Sequence, residues 1–156
     1  MYEHVLVPTD GSDVAEAAVE RAIDLAEKYD ATVHALYVID IDATNLSLGT
    51  EQVDRLRQGK LDEMPEVKAE AEEATGVVAD AARDAGLDVE EHIRTGSPAR
   101  AIRKFVDEND IDLIVMGSHG RAGLSRTLLG SVTEKVLRRT RVPVLVVDVD
   151  GEEADG

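Results

Sequence analysis

The stretch "IDLIVMGSHGRAGLSRTLLGSVTEKVLRRT", Ile111 to Thr140, carries the unit from which the fold follows. It begins with a short continuous apolar run, IDLIVM, of the length and composition of a strand buried on both faces. A polar, glycine-rich passage follows, with glycines at Gly117, Gly120 and Gly130. The chain then turns helix-like in SVTEKVLRRT, where Ser131 and Glu134 have capping-box spacing. A further apolar run, VPVLVVD, comes next and reads as the last strand. Strand, loop, helix and strand in succession make one turn of a parallel α/β sheet.

Working outward, the same alternation repeats. HVLVP, from His4, reads as the first buried strand, and Ser12 as the N-cap of a helix with Asp13 in its first turn. Ala15, Ala18, Val19, Ala22, Ile23 and Ala26 recur at helical spacing, and TVHALYVI is a second strand. Helical spacing returns at Ala74, Val77, Val78, Ala81, Ala82 and Ala85, with Gly86 as the stop. LDVEEHIRTG alternates apolar and polar residues as an edge strand does, and Ser97-Pro98 opens the next helix. IDLIVM, the most apolar run, is expected at the centre of the sheet. Five strands and four helices predict an open parallel sheet of order 3-2-1-4-5 with helices on both faces. We expect one domain over residues 1–148, a long polar segment at 41–65 read as a mobile insertion or lid or as part of a longer helix, and a frayed acidic tail at 149–156.

Composition narrows the function. The chain has 156 residues, no cysteine, and 33 acidic against 17 basic residues, for a formal net charge of -16. A field of that sign repels phosphate backbones and anionic lipid, so neither nucleic acid nor membrane is an expected partner. Only five of the bases are lysines, which suits a cytosol of high salt. Disulfides and cysteine-based metal or redox sites are excluded. The N-terminal residues lack a signal-peptide pattern and no run reaches membrane-spanning length, so a cytoplasmic location is expected. The acids are unevenly spread: Leu113 to Thr133 contains none, where the average frequency predicts about four. His92 to Val106 is acid-free as well.

In sheets of this kind ligands lie beyond the C-terminal ends of the strands, where the strand order reverses. The loops PTDGS and GSHG would border one crevice there. Gly117 and Gly120 let backbone amides approach oxygens closely, and Gly130-Ser131 stands at a helix N-terminus that favours negative charge. Asp10 is placed to accept from ribose hydroxyls, to hold a divalent ion through water, or to cap its own loop ahead of Ser12. Neither the P-loop nor the dinucleotide fingerprint is present.

GSHGRAGLSRTLLGS, Gly117 to Ser131, resembles the G-2x-G-9x-G-[ST] nucleotide-binding signature of the universal stress protein family at every position. HVLVPTDGS, GSPARAI and VPVLVV resemble other parts of that family, so the likeness spans nearly the whole chain. The resemblance implies ATP, or another adenine nucleotide, with Mg2+ or Mn2+ at its phosphates. By position it implies Pro8, Thr9 and Asp10 around the nucleoside, Val38 at the adenine, and Met116 and Gly117 beneath the sugar. Gly120, Gly130, Ser131 and Val132 then cradle the phosphates, chiefly through their amides. Arg121 and Arg126 are each read equally well as phosphate contacts or as solvated loop cations on a very acidic surface. It also implies a homodimer through Val142 to Val147, the apolar edge strand.

No catalytic triad, paired-carboxylate site or zinc-binding spacing is evident, and His4, His34 and His92 read as scattered strand residues, with His119 facing solvent. No water-positioning group accompanies the glycine signature, so hydrolysis is expected to be slow or absent. Two other readings stay open: a stress protein working through protein contacts alone, and an enzyme on a related nucleotide-binding scaffold.

Overall fold

The computed structural model describes residues 2–40, 64–118 and 130–148. In chain order the elements are β1 (His4–Pro8), α1 (Asp13–Tyr29), β2 (Thr32–Asp40), α2 (Pro65–Asp84) and β3 (Val89–Gly96). Then follow α3 (Pro98–Glu108), β4 (Leu113–Gly117), α4 (Ser131–Arg139) and β5 (Val144–Val147). The strands form one five-stranded sheet of order β3-β2-β1-β4-β5, every pair parallel. The expected strand order is therefore correct. β4 lies inside the sheet between β1 and β5, although the middle place belongs to β1.

The period of two along each strand divides the core between two faces. Val5, Val7, Val33, Ala35, Leu113 and Val115 meet Ala18, Ala22 and Ala26 of α1 and Val78 and Ala82 of α2. Leu6, Leu36, Ile114 and Met116 meet Ala99, Ile102, Phe105 and Val106 of α3 and Val136 of α4. Alanines on the buried stripe of α1 let that helix approach the sheet closely. β1 and β4 are buried through their centres, as their unbroken apolar runs require. β3 is the polar edge its alternation predicts.

Helix boundaries follow local chemistry, with two departures. Ser12 caps α1, its Oγ accepting from the Ala15 amide at 3.2 Å, a contact worth about 1 kcal/mol. Gly86 takes φ +77 just past the end of α2, the left-handed conformation that makes it the stop. α2, however, begins at Pro65, nine residues before the first residue of the expected helical pattern. Its first half, PEVKAEAEE, is too polar to show a stripe, yet Ala71 is fully buried. Met64 precedes it as N-cap and packs with Ile39, so the insertion ends in ordered helix; residues 41–63 lie outside the described residues. The capping box at Ser131 does not form. Gly130 is the N-cap and Ser131 the first helical residue, which places Glu134 at the fourth helical position, one beyond the capping-box place.

Candidate functional site

Because β1 is flanked by β2 on one side and β4 on the other, connections leave it in opposite directions, and a crevice opens between the ends of β1 and β4. Thr9, just past β1, is tied to the sheet by its amide, which donates to the Leu36 carbonyl at 2.9 Å. The next turn is built by its own side chains. The Gly11 amide donates to Thr9 Oγ1 at 3.1 Å, and the Ser12 amide to Asp10 Oδ1 at 2.9 Å. Gly11 has φ +81, which glycine adopts without strain. One Asp10 oxygen therefore serves the loop, the bland alternative for that residue, at the same strand end where a ligand role was expected.

Across the crevice, the N-terminus of α4 is fastened to the end of β4. Thr133 Oγ1 donates to the Gly117 carbonyl at 2.8 Å, and the Gly130 amide donates to the Ser118 carbonyl at 2.8 Å. Ser118 is itself buried, its amide donating to Val147 O at 2.8 Å and its hydroxyl to Asp148 Oδ1 at 3.0 Å. The Gly130 amide is thus engaged within the chain. The first backbone bond of α4 is from Glu134 N to Gly130 O, at 3.0 Å. Helix geometry gives Ser131 and Val132 amides no intrahelical acceptor, and they carry the positive end of the helix dipole. The arrangement suits an anion. Met116, buried, and Val38, half-buried, belong to the apolar cluster on this face of the sheet. Pro8, Thr9, Asp10, Met116, Gly117, Gly130, Ser131 and Val132 all stand at the C-terminal ends of β1 and β4 or at the start of α4, with Val38 near the end of β2. Gly120, Arg121, Arg126 and His119 lie outside the described residues.

A second cluster was not legible as such. His4, His34 and His92 are not scattered: they form a ladder across β1, β2 and β3. His4 Nδ1 lies 3.0 Å from His34 Nε2, and His34 Nδ1 lies 3.4 Å from His92 Nε2. The parallel register places His34 opposite Glu90 and Leu36 opposite His92, so residues 58 apart in sequence become neighbours on one face. The alternation of VEEHIRTG already put Glu90 and His92 on a common face; only the pairing of β2 with β3 adds His34.

Burial lowers the His34 pKa from its ordinary 6.5; the Glu90 charge opposes this, while His92 and His4 add to it. Burial also lowers His92, aided by Arg94 and opposed by Glu90. The unfolded chain then binds more protons than the native one just below pH 6.5. Stability is complete above that pH and is lost as pH falls from it through the lowered native values. Urea midpoints measured in EDTA should decline from about pH 7 to about pH 5.5, and the decline should shrink in His92→Gln. A flat profile in the wild type would show that the rings are not held neutral.

Comparison with known proteins agrees with this architecture. The chain matches the universal stress protein family over residues 1–148. It is 38% identical over 148 residues to universal stress protein MJ0531 of Methanocaldococcus jannaschii, covering 94% of this chain and 82% of that protein. Among solved structures it resembles MJ0577 with a TM-score of 0.75 at 33% identity, covering 96% of this chain and 98% of the other. It also resembles a universal stress protein crystallised in complex with cAMP, with a TM-score of 0.66 at 30% identity, covering 96% of this chain and 98% of that one. With the glycine signature complete, the sheet order as expected and the match running from residue 1 to 148, the chain belongs to the universal stress protein family.

Proposed function

We propose that this protein is a nucleotide-dependent stress or signalling regulator that binds ATP, or another adenine nucleotide, with slow or no hydrolysis. The observation that carries the reading is the N-terminus of α4. It is fastened beside the end of β4 by Thr133 and Gly130, within the acid-free stretch from Leu113 to Thr133. In a chain of net charge -16, a stretch without acids that opens a helix N-terminus is suited to an anion. The cAMP complex of a relative 30% identical supports adenine as the base.

In this reading the amides of Ser131 and Val132 and the bare backbone of Gly117 and Gly120 receive phosphate oxygens, with Arg121 adding charge. Pro8, Thr9 and Asp10 border the nucleoside, Val38 the adenine, and Met116 the floor. Mg2+ or Mn2+ would neutralise the phosphates. Lys135 is the only lysine near the signature in sequence and lies within α4, which supports slow or absent hydrolysis. The apolar edge strand β5, with its neighbour Val142, is the surface through which two copies would pair.

Calorimetric titration of nucleotide-stripped protein with Mg-ATP, AMP and cAMP, in high salt, tests the proposal. One saturable site per chain is expected. No binding of any of the three at several temperatures would overturn it and leave the contact-only protein.

A further inference from the structure

We propose that His34, Glu90 and His92 form a site for a divalent transition metal, Zn2+ by chemistry, separate from the nucleotide crevice. The three donor atoms make a compact triangle: His34 Nδ1 to His92 Nε2 is 3.4 Å, His92 Nε2 to Glu90 Oε1 is 3.5 Å, and His34 Nδ1 to Glu90 Oε1 is 3.9 Å. Tetrahedral Zn2+ with bonds of about 2.0–2.1 Å sets its ligand atoms about 3.3–3.4 Å apart. The triangle therefore needs a contraction of about half an ångström on its longest side, within reach of the exposed Glu90 side chain. Among the described residues these are the three whose donor atoms converge in this way.

The surroundings fit as well. His34 is buried in the sheet, with its second nitrogen held by His4 Nδ1 at 3.0 Å, the kind of outer contact that fixes a ligating ring. His92 rests edge-on against Phe105, with ring centroids 4.6 Å apart. Glu90 is exposed, its side chain 60% accessible, so an ion can enter from the open edge of β3 and keep water as a fourth ligand. Two imidazoles and one carboxylate suit Zn2+ better than Mg2+, which demands oxygen. Arg94 is four residues from Glu90 and two from His92 along β3; it lies over the Phe105 ring at 5.5 Å and donates to the Ile93 carbonyl. Because the ligands come from adjacent strands, the ion would cross-link edge strand β3 to β2. His34 and Val38 are four residues apart on one face of β2, about 13 Å, which keeps this site clear of the adenine position.

The experiment is a titration of the full chain with ZnCl2, after EDTA treatment and dialysis, in high salt with excess Mg2+ to saturate surface carboxylates. One Zn2+ per chain is expected, with a rise in melting temperature, and Co2+ in its place should show the visible absorption of a low-coordinate imidazole site. His92→Gln and Glu90→Gln should each weaken Zn2+ at least 10-fold, while Gly130→Asp should bind it as the wild type does. Glu90 is exposed, so its variant should fold normally even if a histidine variant does not. Absence of a saturable Zn2+ site in Mg2+, or wild-type affinity in Glu90→Gln, would overturn the proposal and leave a hydrogen-bonded histidine ladder.

Discussion

Gly130→Asp should abolish adenine-nucleotide binding without unfolding the protein. Gly130 is the N-cap of α4, with φ -67 and ψ 156, an extended conformation open to any residue. Aspartate is among the best N-cap residues, so the helix should be kept or strengthened. Its carboxylate, however, would accept from the first-turn amides that the phosphates would otherwise receive. It would also place a negative charge in the one stretch around the crevice that has none. Losing the amides and gaining repulsion should weaken binding at least about 100-fold, equivalent to about 2.7 kcal/mol. Gly130→Asn fills the same amides without the charge and should lose less. Calorimetry with a melting curve on each variant reads both effects. Wild-type affinity in a folded Gly130→Asp protein would remove α4 from the phosphate site.

Phe105→Ala should cause the largest loss of stability. Phe105 is the largest of the fully buried side chains and joins Leu6, Leu36, Ile102 and Ile114 on the α3 face of the sheet. Its ring is packed edge-on by His34 and His92, at centroid distances of 6.0 and 4.6 Å. Truncation removes that surface and leaves a cavity backed by strands that cannot collapse into it, at a cost of about 3–5 kcal/mol. For a chain of this size the melting temperature should fall by about 10 °C. Phe105→Leu, which fills most of the space, should cost clearly less. A change below about 1 kcal/mol in urea unfolding of Phe105→Ala would mean that this face is not close-packed.

Much of this molecule could be read from residue order because its signals are local. HVLVP and IDLIVM hold short apolar runs, VLV and LIVM, whose length and flanking turns mark them as strands covered on both faces. Ser12, Pro98 and Gly86 punctuate helices by backbone chemistry that acts within a few residues. The start of α2 was missed where its exposed turns carry Glu and Lys, since a mostly solvated helix has no stripe to detect. Ser131 was misassigned by one position: Gly130 is the N-cap, and its amide is bound to the Ser118 carbonyl. For the candidate site, the glycine spacing and the strand-end position of its loops were legible. That the Gly130 amide is already committed was not.

Sequence alone therefore determined what depends on neighbours along the chain: the alternation of strands and helices, the glycine signature, and the acid-free window that contains it. Tertiary structure alone decided what depends on strand pairing. It set which oxygen of Asp10 serves the loop, how α4 is fastened to β4, and above all that His4, His34, Glu90 and His92 meet. The reason is geometric. Parallel strands are joined through helices of many residues, so side chains 30 and 58 positions apart come within hydrogen-bonding distance only once the register of the sheet is set.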